Sequence, residues 1–305
     1  MRSFNIAVLT VLAYLCGRAT VVCAHIAAFT RGMYCLNGTT GNNFNSEDPV
    51  LPLYQLEFDQ WWFHAVNGCN ERPPDPGDVL TLPSGDSVVL ELAGNQGFTS
   101  FSYNGKFATD WPNGQTYPDD LADPSCIISP NLHAQNESMA AGTALSISYQ
   151  SDITEVTPEN LVVISVAYGT PFKRFATYDI PAGLPACPEG GCICGWGWIP
   201  NGCGERNMYH EAIRCNVTGN IGTKPLATPR APVWCEEDQS ACIKGPKQMI
   251  YWNQASGNNI VVPAEYDASG VELKSPRYSA VCGFEDGAQS DIFDDYSSSA
   301  ATLVE

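Results

Sequence analysis

The chain has 305 residues and a formal charge of −18, with 33 acidic side chains against 15 basic ones. That length holds one large domain or two small ones and can bury a real core. The acidic balance excludes a general nucleic-acid binder, which needs a basic stripe to displace phosphate counterions, and argues against docking on anionic lipid.

Arg2 followed by the apolar stretch Ile6 to Leu15 reads as a secretory signal peptide over residues 1–24, because the stretch is too short to span a bilayer. Val22-Cys23-Ala24 offers small or modest residues at the −3 and −1 positions, so cleavage after Ala24 makes His25 the first mature residue. No later stretch is apolar enough to cross a membrane, and the C-terminus lacks the hydrophobic tail of a glycolipid anchor. The expected location is extracellular. Losing residues 1–24 removes Cys16 and Cys23 from the 13 cysteines. In an oxidising compartment the odd remainder implies disulfides plus one leftover thiol. Three sequons, at Asn37, Asn136 and Asn216, are candidate glycosylation sites.

From His25 to Gln60 the chain is polar and turn-rich and reads as a long surface segment. Val79 to Leu82 and Ser87 to Leu92 are short apolar or alternating runs bounded by Pro83, Gly85 and Gly94, which predicts strands. Phe98 to Tyr103 is a further candidate strand, ending at the hairpin signal Asn104-Gly105. Thr143 to Tyr149 alternates, Leu161 to Tyr168 is nearly continuous and predicts a central buried strand, and Lys173 to Ile180 is another strand. Short strands between turns, with 10 % aromatic and only 16 % charged residues, predict an all-β protein built as an antiparallel sandwich. Cys187 to Cys203 is dense in Cys, Gly and Trp. A zinc knuckle is one reading and a disulfide-stapled loop the preferred one. The expected organisation is a signal peptide (1–24), one domain (25–282) and an acidic, Ser-rich disordered tail (283–305).

No phosphate loop, dinucleotide fingerprint or Gly-x-Ser-x-Gly elbow occurs. The scarce residue is His, with only His25, His64, His133 and His210. A His at a mature N-terminus can chelate one metal through its α-amine and Nδ1. A second imidazole opposite completes a nearly flat three-nitrogen set, the arrangement Cu(II) favours. The α-amine pKa of about 7.7–8.0 means that the metal displaces one weakly held proton. On composition alone an inert terminal His is the commoner case, and His64, His133 and His210 remain equal candidates for the second ligand.

Several stretches together resemble one family: His25-Ile-Ala-Ala-Phe, Gln60-Trp-Trp with Val66-Asn-Gly-Cys69, Ser129-Pro-Asn-Leu-His133, Glu137 to Thr143, Thr157-Pro-Glu-Asn160, Pro185 to Cys194 with Trp198 to Cys203, and Asn207-Met-Tyr209. The chain is similar to the fungal lytic polysaccharide monooxygenases of auxiliary-activity family 14. The resemblance implies an immunoglobulin/fibronectin-like antiparallel β-sandwich with long disulfide-stapled loops. It also implies one copper per chain held by His25, His133 and an axial Tyr209, with Tyr168 and Tyr178 as rivals for the last. If residues 207–209 form a strand, Asn207 shares a face with Tyr209 and is a candidate to orient it. The implied activity is oxidative cleavage of plant cell-wall polysaccharide, xylan on cellulose, by O2 or H2O2 with an external electron donor, in a monomer. Trp61, Trp62, Trp111, Trp196 and Trp198 are candidates for stacking on sugar rings, with core packing or disulfide cover the expected role for most of them. The alternative is a histidine-brace protein that scavenges or carries copper without cutting glycan; an inert disulfide-stapled wall protein is a third reading.

Overall fold

The computed structural model describes residues 25–130, 132–201, 203, 206–266 and 274–294. In chain order its strands are β1 (Ala27–Phe29), β2 (Leu80–Ser84), β3 (Ser87–Ala93), β4 (Thr143–Ser148), β5 (Val162–Ala167), β6 (Phe175–Asp179), β7 (Cys192–Trp198), β8 (Tyr209–Gly219) and β9 (Gly287–Ala288). They form a three-stranded sheet in the order β1-β3-β6 and a six-stranded sheet in the order β2-β8-β7-β4-β5-β9. Every ladder is antiparallel except β2 on β8, which is parallel.

The larger sheet is covered on both faces. One face packs against the smaller sheet around Phe29, Leu92, Tyr178, Trp196 and Ile213. The other lies under a loop layer that contributes Trp61, Met249, Tyr251, Tyr278 and Phe284. Double coverage explains why β4, β5 and β7 are buried at every position, whereas β6, covered on one face, alternates exposed and buried residues. The loop layer approaches β7 so closely that only glycine fits. A Cβ at Gly197 would lie 2.3 Å from Met249 Cε, and one at Gly195 would lie 3.0 Å from Met249 Sδ.

Several expectations are corrected. Residues 25–60 are not a surface segment: Ile26 to Phe29, Met33, Tyr34 and Leu53 are buried. The cause is β1, which pairs Ala27 with Ala93 and brings this apolar run onto β3. Phe98–Tyr103 is not a strand; 3-10 turns occupy Gln96–Phe98 and Tyr103–Gly105. There the hydroxyls of Thr99 and Ser102 both donate to the Gln96 carbonyl at 2.7 Å, and such local bonds compete with a ladder. β5 is buried but not central, since only the two-residue β9 lies beyond it. Much of Cys187–Cys203 is strand β7 rather than loop. Residues 283–294 are not a tail: they include β9, and Phe284, Gln289 and Ile292 are buried. Residues 295–305 and 1–24 lie outside the described residues.

Five disulfides join Cys35–Cys69, Cys126–Cys203, Cys187–Cys192, Cys194–Cys215 and Cys235–Cys242. All four cysteines of the suspected zinc knuckle, Cys187, Cys192, Cys194 and Cys203, are therefore in disulfides. Cys282 is the free thiol, and burial pushes its pKa up to about 12.

Candidate metal centre

β1, β7 and β8 set the frame of one end of the sandwich. β1 is anchored on β3 and leaves half-buried His25 two residues before its first paired position. β7 and β8 pair in a register that puts Trp198 opposite Tyr209. Cross-strand neighbours of this kind lie about 4.5–5.5 Å apart. Here the two rings stack at 4.6 Å and 17°. The Tyr209 hydroxyl lies 3.1 Å from His25 Nδ1.

His133 comes from a loop. Its φ of +48° is left-handed, a conformation that is uncommon for a non-glycine residue and is retained only where the surroundings fix it. The Cys126–Cys203 disulfide ties this loop to the segment after β7, and His133 Nδ1 sits 2.6 Å from the Cys203 carbonyl oxygen. A carbonyl can only accept, so Nδ1 is the protonated nitrogen. In the neutral ring Nε2 then carries the lone pair, the tautomer that metal-ligating histidines usually take. The His133 ring packs edge-on against Trp198 at 5.5 Å. Trp198 thus touches both Tyr209 and His133.

His210 lies on the opposite face of the larger sheet, and His64 sits against the β8 backbone beside it. His210 follows Tyr209 on β8, so the strand's alternation turns it away from Tyr209. It stacks on Phe63 at 4.6 Å and 8° and also packs against Trp61, Trp62 and Tyr251. Burial pushes its pKa down to about 3, helped by the neighbouring His64, so it is neutral. His64 is fully buried. Its Nε2 faces the Leu51 carbonyl at 2.7 Å, and its Nδ1 faces the His210 carbonyl at 3.2 Å and Glu211 at 3.0 Å. With acceptors at both nitrogens it is an imidazolium. Burial opposes that charge, but Glu211 and the two carbonyls outweigh it and raise the His64 pKa. Neither ring faces His25.

The rival tyrosines are committed elsewhere. Tyr178 bonds Thr143 and Trp196, and Tyr168 donates to the Phe284 carbonyl. Asn207 precedes β8, where an antiparallel bridge between Met208 and Leu53 holds the chain extended. It therefore shares a face with Tyr209. Asn207 is 3 % exposed, and its Oδ1 has no hydrogen-bond partner among the described residues. Trp198 Nε1, also buried, has none either. Sequence reasoning weighed Trp198 as a sugar platform or as core packing, and it is buried. Its role as the contact between Tyr209 and His133 had no local signal.

The tryptophans proposed for sugar stacking are not available for it. Trp61, Trp111, Trp196 and Trp198 are buried and Trp62 is half-buried, which follows from the double coverage of the larger sheet.

Among known proteins, the family model described as Lytic polysaccharide monooxygenase AA14 matches residues 6–303. The AA14 family lytic polysaccharide monooxygenase B of Talaromyces rugulosus is 39 % identical over 89 % of this chain and 93 % of its own length. Its namesake from Pycnoporus cinnabarinus is 34 % identical over 89 % of this chain and 70 % of its own length. The family's lytic polysaccharide monooxygenase A from Trametes coccinea is 34 % identical over 93 % of this chain and 64 % of its own. Breadth and identity together place the chain in the AA14 family of lytic polysaccharide monooxygenases, which makes it an oxidoreductase.

Proposed function

We propose that the chain is a secreted, copper-dependent oxygenase of plant cell-wall polysaccharide, with xylan lying on cellulose as its substrate. Cleavage after Ala24 would free the His25 amine. The copper would then be held by that amine, His25 Nδ1, His133 Nε2 and the Tyr209 hydroxyl. The observation that carries this reading is the His133 Nδ1 contact with the Cys203 carbonyl, which reserves Nε2 as a donor. The Tyr209 hydroxyl beside His25 Nδ1 supports it. Among the described residues no group of three or more His, Cys, Asp or Glu side chains is placed to hold a metal, so a donor set here needs the main-chain amine. Nitrogen-rich, carboxylate-free sites suit copper.

When bound, copper supplies the activation of O2 or H2O2 that oxidises a C–H bond beside a glycosidic link, with electrons from an external reductant. The chain's own residues prepare that chemistry. Trp198 holds the Tyr209 ring against one side of the site. The Cys203 carbonyl fixes the His133 tautomer. Asn207, on the Tyr209 face with an unpartnered Oδ1, orients the tyrosine or a water beside it. The same reading makes Asn37, Asn136 and Asn216 glycan carriers. Asn216 is exposed, and Asn136 uses only Oδ1, accepting from Met139 N and Ser138 Oγ, which leaves its Nδ2 for a glycan.

Mass spectrometry of soluble products tests the proposal, with copper-loaded secreted protein, xylan-bearing cellulose and a reductant. Oxidised oligosaccharides that disappear in His133→Ala are expected. If products are equal in the variant, or form on purified cellulose alone, the ligand set or the substrate respectively is wrong.

A further inference from the structure

With Trp61, Trp111, Trp196 and Trp198 buried, the exposed rings become informative. Tyr103 and Phe107 are 41 % and 44 % exposed and meet edge to face at 5.3 Å. Phe44 braces Tyr103 from the other side at 5.4 Å, and Asn45 Nδ2 donates to the Tyr103 hydroxyl at 3.1 Å. The backbone holds Tyr103 and Asn104 at φ of +48° and +52°. Two successive non-glycine residues in this region cost about 1–2 kcal/mol each. Asn tolerates it; a bulky tyrosine does so only where the surroundings impose it.

Those surroundings are firm. Ser102 Oγ bonds the Gln96 carbonyl, and Ser100 N donates to Glu91 of β3 at 2.9 Å. Glu91 is itself paired with Arg174 at 2.5 Å. The loop also starts beside the metal centre. A Cβ at Gly94 would lie 3.4 Å from the His25 carbonyl, and one at Gly97 would lie 2.7 Å from Asn45 Oδ1. Chaining these contacts through three residues of backbone puts the Tyr103 hydroxyl within about 25 Å of the His25 carbonyl.

Charge selects the ligand class. Residues 37–46 and 94–109 contain one charged side chain, Lys106, in a chain with 33 acids. The rest is Asn, Gln, Gly, Ser, Thr, one Ala and aromatic. Fixed rings among uncharged amides and hydroxyls suit a neutral ring that has an apolar C–H face and a polar rim. They offer nothing to an anion beyond one lysine. We infer that Tyr103 and Phe107 form a stacking platform for a pyranose unit of a neutral polysaccharide strand, a few sugar units from His25. This rests on the polysaccharide reading given above. Phe44, Asn45 and the strained turn are the positioning parts.

Binding without turnover tests it. Copper-loaded chain, enzymatically stripped of N-glycans because Asn37 lies in the same uncharged zone, is partitioned onto insoluble xylan and cellulose with no reductant. Tyr103→Asn suits the left-handed backbone, so its Tm should hold or rise. Its binding should weaken about tenfold, the effect of roughly 1.4 kcal/mol. Phe107→Ala should weaken binding in the same direction, while Tyr103→Trp should keep it. Phe175→Ala, an exposed ring on β6, should leave it unchanged. If Tyr103→Asn and Phe107→Ala bind as the parent does while oxidised products still form, the platform is overturned and the oxygenase reading stands. If the parent itself binds neither polysaccharide and yields no products, both fall.

Discussion

His25 and His133 at one end of the sandwich, and His64 and His210 beneath β8, are the chain's four histidines, and their ring nitrogens face opposite kinds of neighbour. His133 commits Nδ1 to a carbonyl and leaves Nε2 as a donor. His64 turns both nitrogens to acceptors and is held as a cation against Glu211. His210 is flat against Phe63 with its proton affinity suppressed by burial. The lesson is that a ligand is made by the oxygen or ring next to it, and the imidazole alone does not announce it. Strand β8 carries two environments one residue apart: Tyr209 lies beside His25, and His210 packs against the loop layer.

The hardest way to break this contrast is at the back. His64→Ala leaves Glu211 buried without its partner, which should cost about 3–5 kcal/mol and lower Tm by roughly 10 °C or more. Copper affinity of the folded fraction, read by calorimetric titration, should be unchanged. A parallel loss of copper would mean that the two regions are not separate. At the front, His133→Ala should weaken copper binding by about 100-fold or more with little change in Tm, the mirror image. Tyr209→Phe keeps the stack on Trp198 and removes only the hydroxyl. It should alter the Cu(II) paramagnetic resonance spectrum and change affinity by less than about tenfold, roughly one hydrogen bond. An unchanged spectrum would remove Tyr209 from the metal's surroundings.

The smallest effect is on pH. Because the folded His64 pKa is raised, its contribution is complete below the free value of about 6.5 and is lost as pH rises through the folded value. Tm should therefore decline as pH rises above about 6.5, and His64→Gln should flatten the decline. A slope of the opposite sign would show that the pair is not ionised.

The legible parts of the fold were those where a face or a run of residues stated its own burial. β3, β4, β5 and β6 were each close to the predicted segments. β8 was missed because His210 and Glu211 interrupt its apolar pattern; His210 is buried against Trp61, Trp62 and Tyr251, and Glu211 is paired with His64. β7 was read as loop because its glycines look like turns; they are there to admit Met249 and Tyr278. At the candidate site, the proposal of His25 rests on a cleavage pattern. His133 could not be separated from its rivals by local physics, since what distinguishes it is the carbonyl of Cys203, 70 residues away.

The four residues after His25 are buried, and three of them pair with β3. The fold therefore reaches to within one residue of where the proposed signal is cut, and nothing in β1 depends on that cut being made in the right place. A preparation with one extra residue ahead of His25 would melt, scatter and digest like the authentic protein, and its defect would show only in metal binding. On the proposed reading, processing of the leader and folding of the body are separate quality controls, and N-terminal sequencing belongs beside every assay of activity.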